Sequence, residues 1–518
     1  MKFLSRVPFI DLIKQKIVSL VSNDMIKLSP EAVESFDAAK HRQRSIDSFE
    51  QTWPWYRQLI KSIAYSTQIP SDTLNNYVRT IGILLLLAIL FPFSLLITIF
   101  TIVCSKLIRL FKQNESTPKP NHSSKRILIS GGMMTKALVL CRGFHRAGHK
   151  VILVDEAINW LTGHRWSNSV ERFYIVPSPE KDPEAYMQSL VDIVQKENID
   201  MFVPVTGPYH AHIDAQVKAR LKQHNCSTFH LNTDEITLVD NKYSFTDKAR
   251  SLGLPVPKSH YITSRRQLMD FNFDQEKRPY ICKSIMYDWL DRGAMITLPR
   301  ATRAETIEYI NRLPISEECP YILQEFIQGD EYCTHGTCLN GNLALFTCCH
   351  SSAWQLNYKH IDHPAILQWS TTYVRELKLT GHASFDFIVS HDDGKAYGIE
   401  CNPRVHSAIT AFYNHPRIAD AYFPSDFQTT MIPLPTARET YWLTHELWRI
   451  IRNIQSSDQV CQSLQRIFYG REAIWSFDDP LPFLLHYHVH IVCLLLDNLR
   501  PTRIRFFHKV DCCLGELS

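Results

Sequence analysis

Residues 381–404 read GHASFDFIVSHDDGKAYGIECNPR, and this stretch decides the fold. Two apolar runs, Ala383 to Val389 and Ala396 to Ile399, flank a polar turn at His391 to Gly394. That pattern predicts a hairpin whose turn is longer than the tightest type. Asp386 falls near the middle of the first strand. Glu400 and Asn402 end the second, two apart, so strand alternation puts them on one face. Two carboxylates and an amide oxygen suit Mg2+, a hard cation that takes oxygen ligands and keeps some waters. Arg404 follows, with a guanidinium fork that fits phosphate or carboxylate. A surface hairpin with solvated acids is the competing reading of the same residues.

Upstream of the hairpin, Tyr280 to Ile285 reads as a strand with a single lysine, Lys283, inside it. A lysine in an apolar strand is costly unless its ammonium reaches a phosphate or a carboxylate. Tyr321 to Ile327 is another strand, and Glu325, Phe326 and Ile327 offer backbone groups and an apolar wall to a base. Glu331, just beyond, can take ribose hydroxyls. The loop Asp288 to Gly293 can fold over phosphates, although one glycine is few for that task. Asn340-Gly341 predicts a tight hairpin turn. Asp240-Asn241-Lys242 opens a helix, and Leu254-Pro255-Val256-Pro257 ends that region.

Further upstream the pattern changes to βαβ. Arg126 to Ser130 is a strand, Gly131-Gly132 turns the chain into a helix from about Thr135 to Ala147, and Val151 to Val154 is the next strand. The full glycine fingerprint of a dinucleotide site is missing. Phe173 to Val176 and Met201 to Val205 read as further parallel strands, with a helix from Pro183 to Glu197 between them. Residues 206–210 lie at a strand's carboxyl end, where open α/β sheets bind ligands, so His210 is a candidate substrate contact or a satisfied loop residue.

The 518 residues carry 45% hydrophobic and 21% charged residues, a globular balance with room for two or three domains. A formal charge of +4 over that length, with no zinc-finger or RNA-binding signature, argues against nucleic acid. The 14 cysteines are scattered and read as reduced core thiols, since the Cys348-Cys349 and Cys512-Cys513 pairs lack the spacing of a zinc site.

Residues 80–104, TIGILLLLAILFPFSLLITIFTIVC, carry no charge and are bounded by Arg79 and Lys106. At 1.5 Å per residue they reach about 37 Å, enough for a tilted crossing. Pro92 predicts a kink or a re-entrant turn. Lys106, Arg109, Lys112 and Lys119 follow the span, which predicts membrane association with the large carboxyl-terminal part on the cytoplasmic side. Before it, amphipathic helices are expected after Pro8 and after Ser29-Pro30, and Trp53, Trp55 and Tyr56 form an aromatic cluster. Residues 114–124 read as a flexible tether. After Pro424 the region beginning at Tyr441 is helical and aromatic, reading as a small lid, and residues 481–496 form a second apolar stretch interrupted by histidines. The basic run 500–509 can rest near anionic lipid.

The order Lys242, Lys283, Gln324-Glu325-Phe326-Ile327, Glu331, Asp386, Glu400-x-Asn402-x-Arg404 resembles the ATP-grasp superfamily. The resemblance covers roughly residues 126 to 425. It implies an α/β and α+β architecture in which a Rossmann-like preATP-grasp domain precedes Mg-ATP clamped between two α+β subdomains. The expected division is an amino-terminal helical region at 1–78, an anchor at 79–106, a linker at 107–125, the Rossmann-like domain at 126–240, the ATP-grasp domain at 241–425 and a helical extension at 426–518. The resemblance implies that Lys242 and Lys283 contact phosphates and that Glu325 and Ile327 present backbone groups to adenine. It implies that Glu331 holds ribose, that Asp386, Glu400 and Asn402 ligate Mg2+ (or Mn2+), and that Arg404 steadies the transferred phosphoryl or activated substrate.

The runs SGGMMTKAL, WLTGHRWSNSVERFY, FTDKARSLGLPVPKS, CTHGT and IECNPRVHSAITAFYNHP resemble the cyanobacterial ATP-grasp ligases of mycosporine-like amino acid synthesis, which join glycine to 4-deoxygadusol. This chain departs from them in a longer amino-terminal lead and a glycine-poor phosphate loop. The implied substrates are 4-deoxygadusol and glycine. Arg404 or Arg165 is the candidate cation for the amino-acid carboxylate, and His335, His382 and His406 are candidates for lining the cleft or for structural hydrogen bonding. A different ATP-grasp ligase acting on an ordinary carboxylate, or a membrane-tethered nucleotide-binding adaptor, are the alternatives. The chain is also compatible with a homo-oligomer.

Overall fold

The computed structural model describes residues 71–111, 123–205, 207, 210–285, 296–351, 356–424 and 429–499. The helices expected near Pro8 and Pro30, the aromatic cluster at 53–56, most of the tether, the loop Asp288 to Gly293 and the basic run 500–509 lie outside the described residues. The described residues fall into two compact units, one holding 71–96 and 487–499, the other the described part of 97–486.

Helix α1 (Ser71–Phe111) is 41 residues long and continues through Pro92. Proline removes one helical N–H and crowds the preceding turn, yet the helix goes on, so the re-entrant turn expected there does not form. Among the described residues this is the helix long and apolar enough to cross a membrane, with a mean hydropathy of 2.9 over Thr80–Ile108. Leu85, Ile89, Phe93 and Phe100 are exposed along it. Length and composition allow a crossing and assign no orientation.

After the end of α1, the second unit holds a five-stranded parallel sheet. Its strands are β1 (Arg126–Ile129), β2 (Lys150–Glu156), β3 (Arg172–Val176), β4 (Met201–Val203) and β5 (Ser227–Thr228), in the order β3-β2-β1-β4-β5. Helices α2 (Thr135–Arg146) and α3 (Pro183–Glu197) are crossovers, as the βαβ pattern predicts. The turn from β1 into α2 needs glycine. Gly131 has φ +69°, and a Cβ there would stand 1.9 Å from the Val205 carbonyl oxygen. One face of the sheet packs with α2 on residues 405–422, burying Val203, Val139, Phe144, Val405, Ile409 and Phe412 in one core. The opposite face is covered by Tyr186, Leu190 and Val194 of α3.

Helices α4 (Thr233–Asp240) and α5 (Lys242–Ser251) lead onward, each started by an asparagine that caps it, Asn232 and Asn241. Two antiparallel sheets follow. The smaller runs β6-β9-β7-β8, with β6 (Ser259–Ile262), β7 (Tyr280–Ser284), β8 (Thr297–Leu298) and β9 (Tyr321–Glu325). The larger runs β11-β10-β14-β15, with β10 (Gly329–Leu339), β11 (Asn342–His350), β14 (Ser384–Ser390) and β15 (Ala396–Asn402), while β13 (Gly381–His382) pairs with β10. β10 and β11 meet through Asn340 and Gly341, both at positive φ. Helix α6 (Pro364–Leu377) covers the larger sheet with Trp369 and Tyr373. Beyond it, β12 (Asn357–Tyr358), β16 (Thr440–Tyr441) and β17 (Arg471–Glu472) make a small sheet beside helices α7 (Leu443–Arg452) and α8 (Ser457–Tyr469). The described cysteines are free thiols, and Cys348 and Cys349 are buried.

Candidate active site

The site is built on the hairpin of β14 and β15. In its register Asp386 stands opposite Glu400 and Ser384 opposite Asn402. Directly paired residues project from the same face of a sheet, so Asp386, Glu400 and Asn402 share one surface. The register shifts between Asp386 and Phe387, because Phe387 pairs with Gly398 and leaves Ile399 as the extra residue. Such a bulge re-aims a strand end. The Asn402 amide nitrogen donates to Asp386 Oδ2 at 3.1 Å. All three side chains are half-buried.

Two carboxylates opposite one another repel unless a cation or a proton sits with them. Two acids and an amide, partly exposed, match the donor set of Mg2+, which keeps waters and leaves room for phosphate oxygens. Among the described residues no group of three or more histidine, cysteine or acidic side chains gathers to hold a metal, and the hairpin set is two acids and an amide.

The cationic side of the site comes from α5 and the segment after β15. Lys242 is the first residue of α5. Asp240, at the end of α4, has its carboxyl raised above the usual range, first by desolvation. The charges of Arg404, Lys242 and His212 pull it down and Glu400 pushes it up. Ile236 and Val239 of α4, Phe245 of α5 and Cys401 of β15 share one core, so Asp240 lies within reach of the charges of Lys242, Arg404 and Glu400. Arg404 is held by its backbone: its N–H donates to the Asn402 carbonyl at 2.8 Å, and its own carbonyl accepts from Ser384 Oγ at 3.0 Å.

Lys283 lies on β7, half-buried, opposite Ile322 of β9. Its ammonium donates to Gln324 Oε1 at 3.2 Å. Gln324 and Glu325 are buried at the end of β9. The Phe326 N–H donates to the Pro279 carbonyl at 2.8 Å, which directs the chain out of the sheet, and Ile327 is buried next to it. Glu331 is exposed on β10, and its carbonyl accepts from the Ser351 N–H. Arg278 joins the two sheets, 3.7 Å from Glu325 and 3.0 Å from Asp392 in the β14–β15 turn.

The remaining candidates occupy other places. Arg165 donates to the Trp160 carbonyl at 2.6 Å and lies over the Trp166 and Phe173 rings, contacts made within the parallel-sheet region. His210 pairs with Glu180 at 3.5 Å, and it is His212 that acts on Asp240. His335 and His382 are fully buried. His335 Nε2 meets Thr337 Oγ1 at 3.1 Å, and its Nδ1 accepts from the His406 N–H at 3.3 Å. His382 Nε2 meets the Tyr422 hydroxyl at 3.0 Å. His406 Nδ1 caps the turn that follows by accepting from the Ala408 N–H at 3.2 Å. Burial, and next the charge of Lys136, brings His406 down to about 3, so it is neutral at physiological pH. Sequence reasoning missed Asp240, His212 and Lys136 as members of this neighbourhood.

No family model matches the chain, and no curated protein matches it. Solved structures do resemble it. An ADP complex of N5-carboxyaminoimidazole ribonucleotide synthetase is 15% identical with a TM-score of 0.47, over 65% of this chain and 87% of that one. A biotin carboxylase–ATP-analogue complex from Campylobacter jejuni is 16% identical with a TM-score of 0.44, over 58% and 72%. An L-amino acid ligase from Bacillus licheniformis is 17% identical with a TM-score of 0.43, over 57% and 71%. Similarity at this level assigns no activity.

Proposed function

We propose that the chain is an ATP-dependent ligase that joins an amine to an oxygen-bearing carbon after phosphorylating that oxygen. The observation that carries this reading is the pairing of Asp386 with Glu400 across the hairpin, with Asn402 bonded to Asp386 and Arg404 held just beyond. An adaptor without turnover has no need for two carboxylates facing each other beside a lysine and an arginine.

In this reading Asp386, Glu400 and Asn402 hold Mg2+, which would neutralise phosphate charge on ATP. Lys242 and Lys283 spread the charge of the phosphates. The Glu325 carbonyl and the Ile327 N–H face the adenine edge, and Glu331 takes the ribose hydroxyls. Arg404 steadies the transferred phosphoryl group. Hydroxide is a poor leaving group and phosphate a good one, so an amine attacks the phosphorylated carbon once water is excluded. ADP and phosphate leave.

The acceptor class is an acid or a vinylogous acid. The five quoted sequence runs favour 4-deoxygadusol as acceptor and glycine as amine, with mycosporine-glycine as product; an ordinary carboxylate is the broader reading. By the charge bias after α1, the ligase associates with a membrane and its catalytic part faces the cytoplasm.

The test uses acceptor labelled with oxygen-18 at its reactive oxygen, Mg-ATP and a panel of amino acids, read by mass spectrometry. Label in inorganic phosphate, with a new carbon–nitrogen bond in the product, is expected. Label in AMP, or pyrophosphate formed in step with product, would overturn the mechanism. Turnover with simple carboxylates and none with 4-deoxygadusol would remove the narrower acceptor and keep the ligase.

A further inference from the structure

Arg404 sits in a segment without regular structure, and three side chains from three different elements hold that segment by its backbone. Ser384 Oγ of β14 donates to the Arg404 carbonyl at 3.0 Å. His335 Nδ1 of β10 accepts from the His406 N–H at 3.3 Å. Between them, Lys136 Nζ donates to the Val405 carbonyl at 2.9 Å, from a residue 269 positions away in sequence. Lys136 is only 2% exposed and Val405 is fully buried.

A buried ammonium is expensive to desolvate, so a lysine is a poor choice where the only need is to fill space. Lys136 is the second residue of α2, directly after the turn forced by Gly131. Its neighbour Thr135 accepts through Oγ1 from Trp442 Nε1 at 3.0 Å, which fixes the start of α2 against the carboxyl-terminal region. The end of α2 that carries Lys136 is thereby anchored, and the ammonium reaches from a rigid support to the peptide that follows Arg404.

We propose that Lys136 is a positioning residue that sets Arg404 beside the acidic hairpin through the Val405 carbonyl, so that the parallel-sheet region tunes the phosphoryl-transfer site. It touches neither nucleotide nor acceptor. The assignment of Arg404 to transfer rests on the function proposed above; the clamp on the 404–406 backbone does not. A shift of the β1–α2 turn, for instance when a ligand enters the carboxyl edge of the parallel sheet, would reach the Arg404 segment through this bond as well as through the shared core.

The experiment compares full-length protein with Lys136→Met, which keeps the stem and removes the donor, and Lys136→Gln, which keeps a donor one atom shorter. Two readouts are taken: amide hydrogen exchange across residues 403–408, and steady-state kinetics for ATP. Lys136→Met is expected to speed exchange in that segment roughly tenfold and to lower kcat by about 10- to 100-fold, with KM for ATP within about twofold. Lys136→Gln should fall between it and the wild type in both. In an Arg404→Met background, Lys136→Met should add less than about twofold, because both act through one group. Unchanged exchange in 403–408, or multiplying losses in the double variant, would overturn the proposal. If Lys136→Met does not fold, the same two measurements on Lys136→Gln decide it. If the wild type turns over no ATP, the functional reading falls, and the exchange result still decides the clamp.

Discussion

Two acidic centres in the same unit are built on opposite terms. At Glu446, on α7, a fully buried carboxylate is met by Arg449 at 2.6 Å and Arg466 at 3.1 Å, and Arg449 also donates to Asn357 at 2.9 Å. At the hairpin, the residue directly across the strand pair from Asp386 is another acid, Glu400, and both are half-buried. The first arrangement neutralises itself within α7 and α8. The second sets two acids opposite each other on a half-open face, a donor set that a hard cation fits. A carboxylate whose geometry is complete supports the fold; a pair set against itself is available for chemistry.

This contrast can be broken by exchanging which property each site controls. Glu400→Gln is expected to lower turnover at saturating magnesium by at least roughly 100-fold, since the Mg2+ set proposed above would lose one carboxylate. The same variant, unfolded by urea without divalent metal, should be as stable as wild type or more stable by about 0.2–1 kcal/mol, because a like-charge pair is relieved. A stability loss of several kcal/mol would make the hairpin a structural centre like that of Glu446.

Glu446→Ala should do the reverse. Leaving two arginines without their shared buried anion is expected to cost about 3–5 kcal/mol, read as a shift in urea midpoint. Under strongly native conditions the ATP KM of the surviving folded protein should be unchanged.

The next effect is smaller and concerns pH. His230 is buried and bonded to the Ala211 carbonyl at 2.9 Å; burial first, then the charges of Lys218 and His212, brings it down to about 4. Its folded value lies below the ordinary one near 6.5, so the unfolded chain binds the extra proton. The stability it contributes is present above about pH 6.5 and is lost as pH falls toward 4. Asp155 opposes this trend. Burial raises it to about 6, so its contribution is present below the ordinary carboxyl value and lost as pH rises through 6. His335 and His382, also buried and also brought down, add to His230. Stability should therefore fall between pH 6.5 and 5, and His230→Gln should reduce that slope, as urea midpoints at the two pH values would reveal. An unaltered slope would exclude His230 as a contributor.

Much of the site was legible because its residues are local. Asp386, Glu400, Asn402 and Arg404 lie within nineteen consecutive positions, and period-two alternation is enough to predict a hairpin and a shared face for Glu400 and Asn402. The pairing of Asp386 with Glu400 was not legible. It depends on the bulge at Ile399, and a turn of this length leaves register open. Long-range partners were hidden for a different reason. Lys136 reads as one of several polar residues in a mixed helix, and nothing near it names Val405. His210 was chosen for standing at the end of a strand, whereas the helix that follows brings His212 to Asp240. For α1, composition gave the helix and proline suggested a kink or re-entrant turn, whereas the helix runs on through Pro92 to Phe111.

The measurement that tests the account most directly needs no knowledge of the acceptor. Mn2+ in place of Mg2+ is titrated into full-length protein with ADP present, and bound manganese is read by electron paramagnetic resonance, for wild type, Glu400→Gln and a conservative Glu446→Gln control under conditions where all three are folded. The account predicts nucleotide-dependent Mn2+ binding by wild type and by the control, with affinity reduced at least about tenfold in Glu400→Gln. Equal binding by Glu400→Gln and wild type would contradict it.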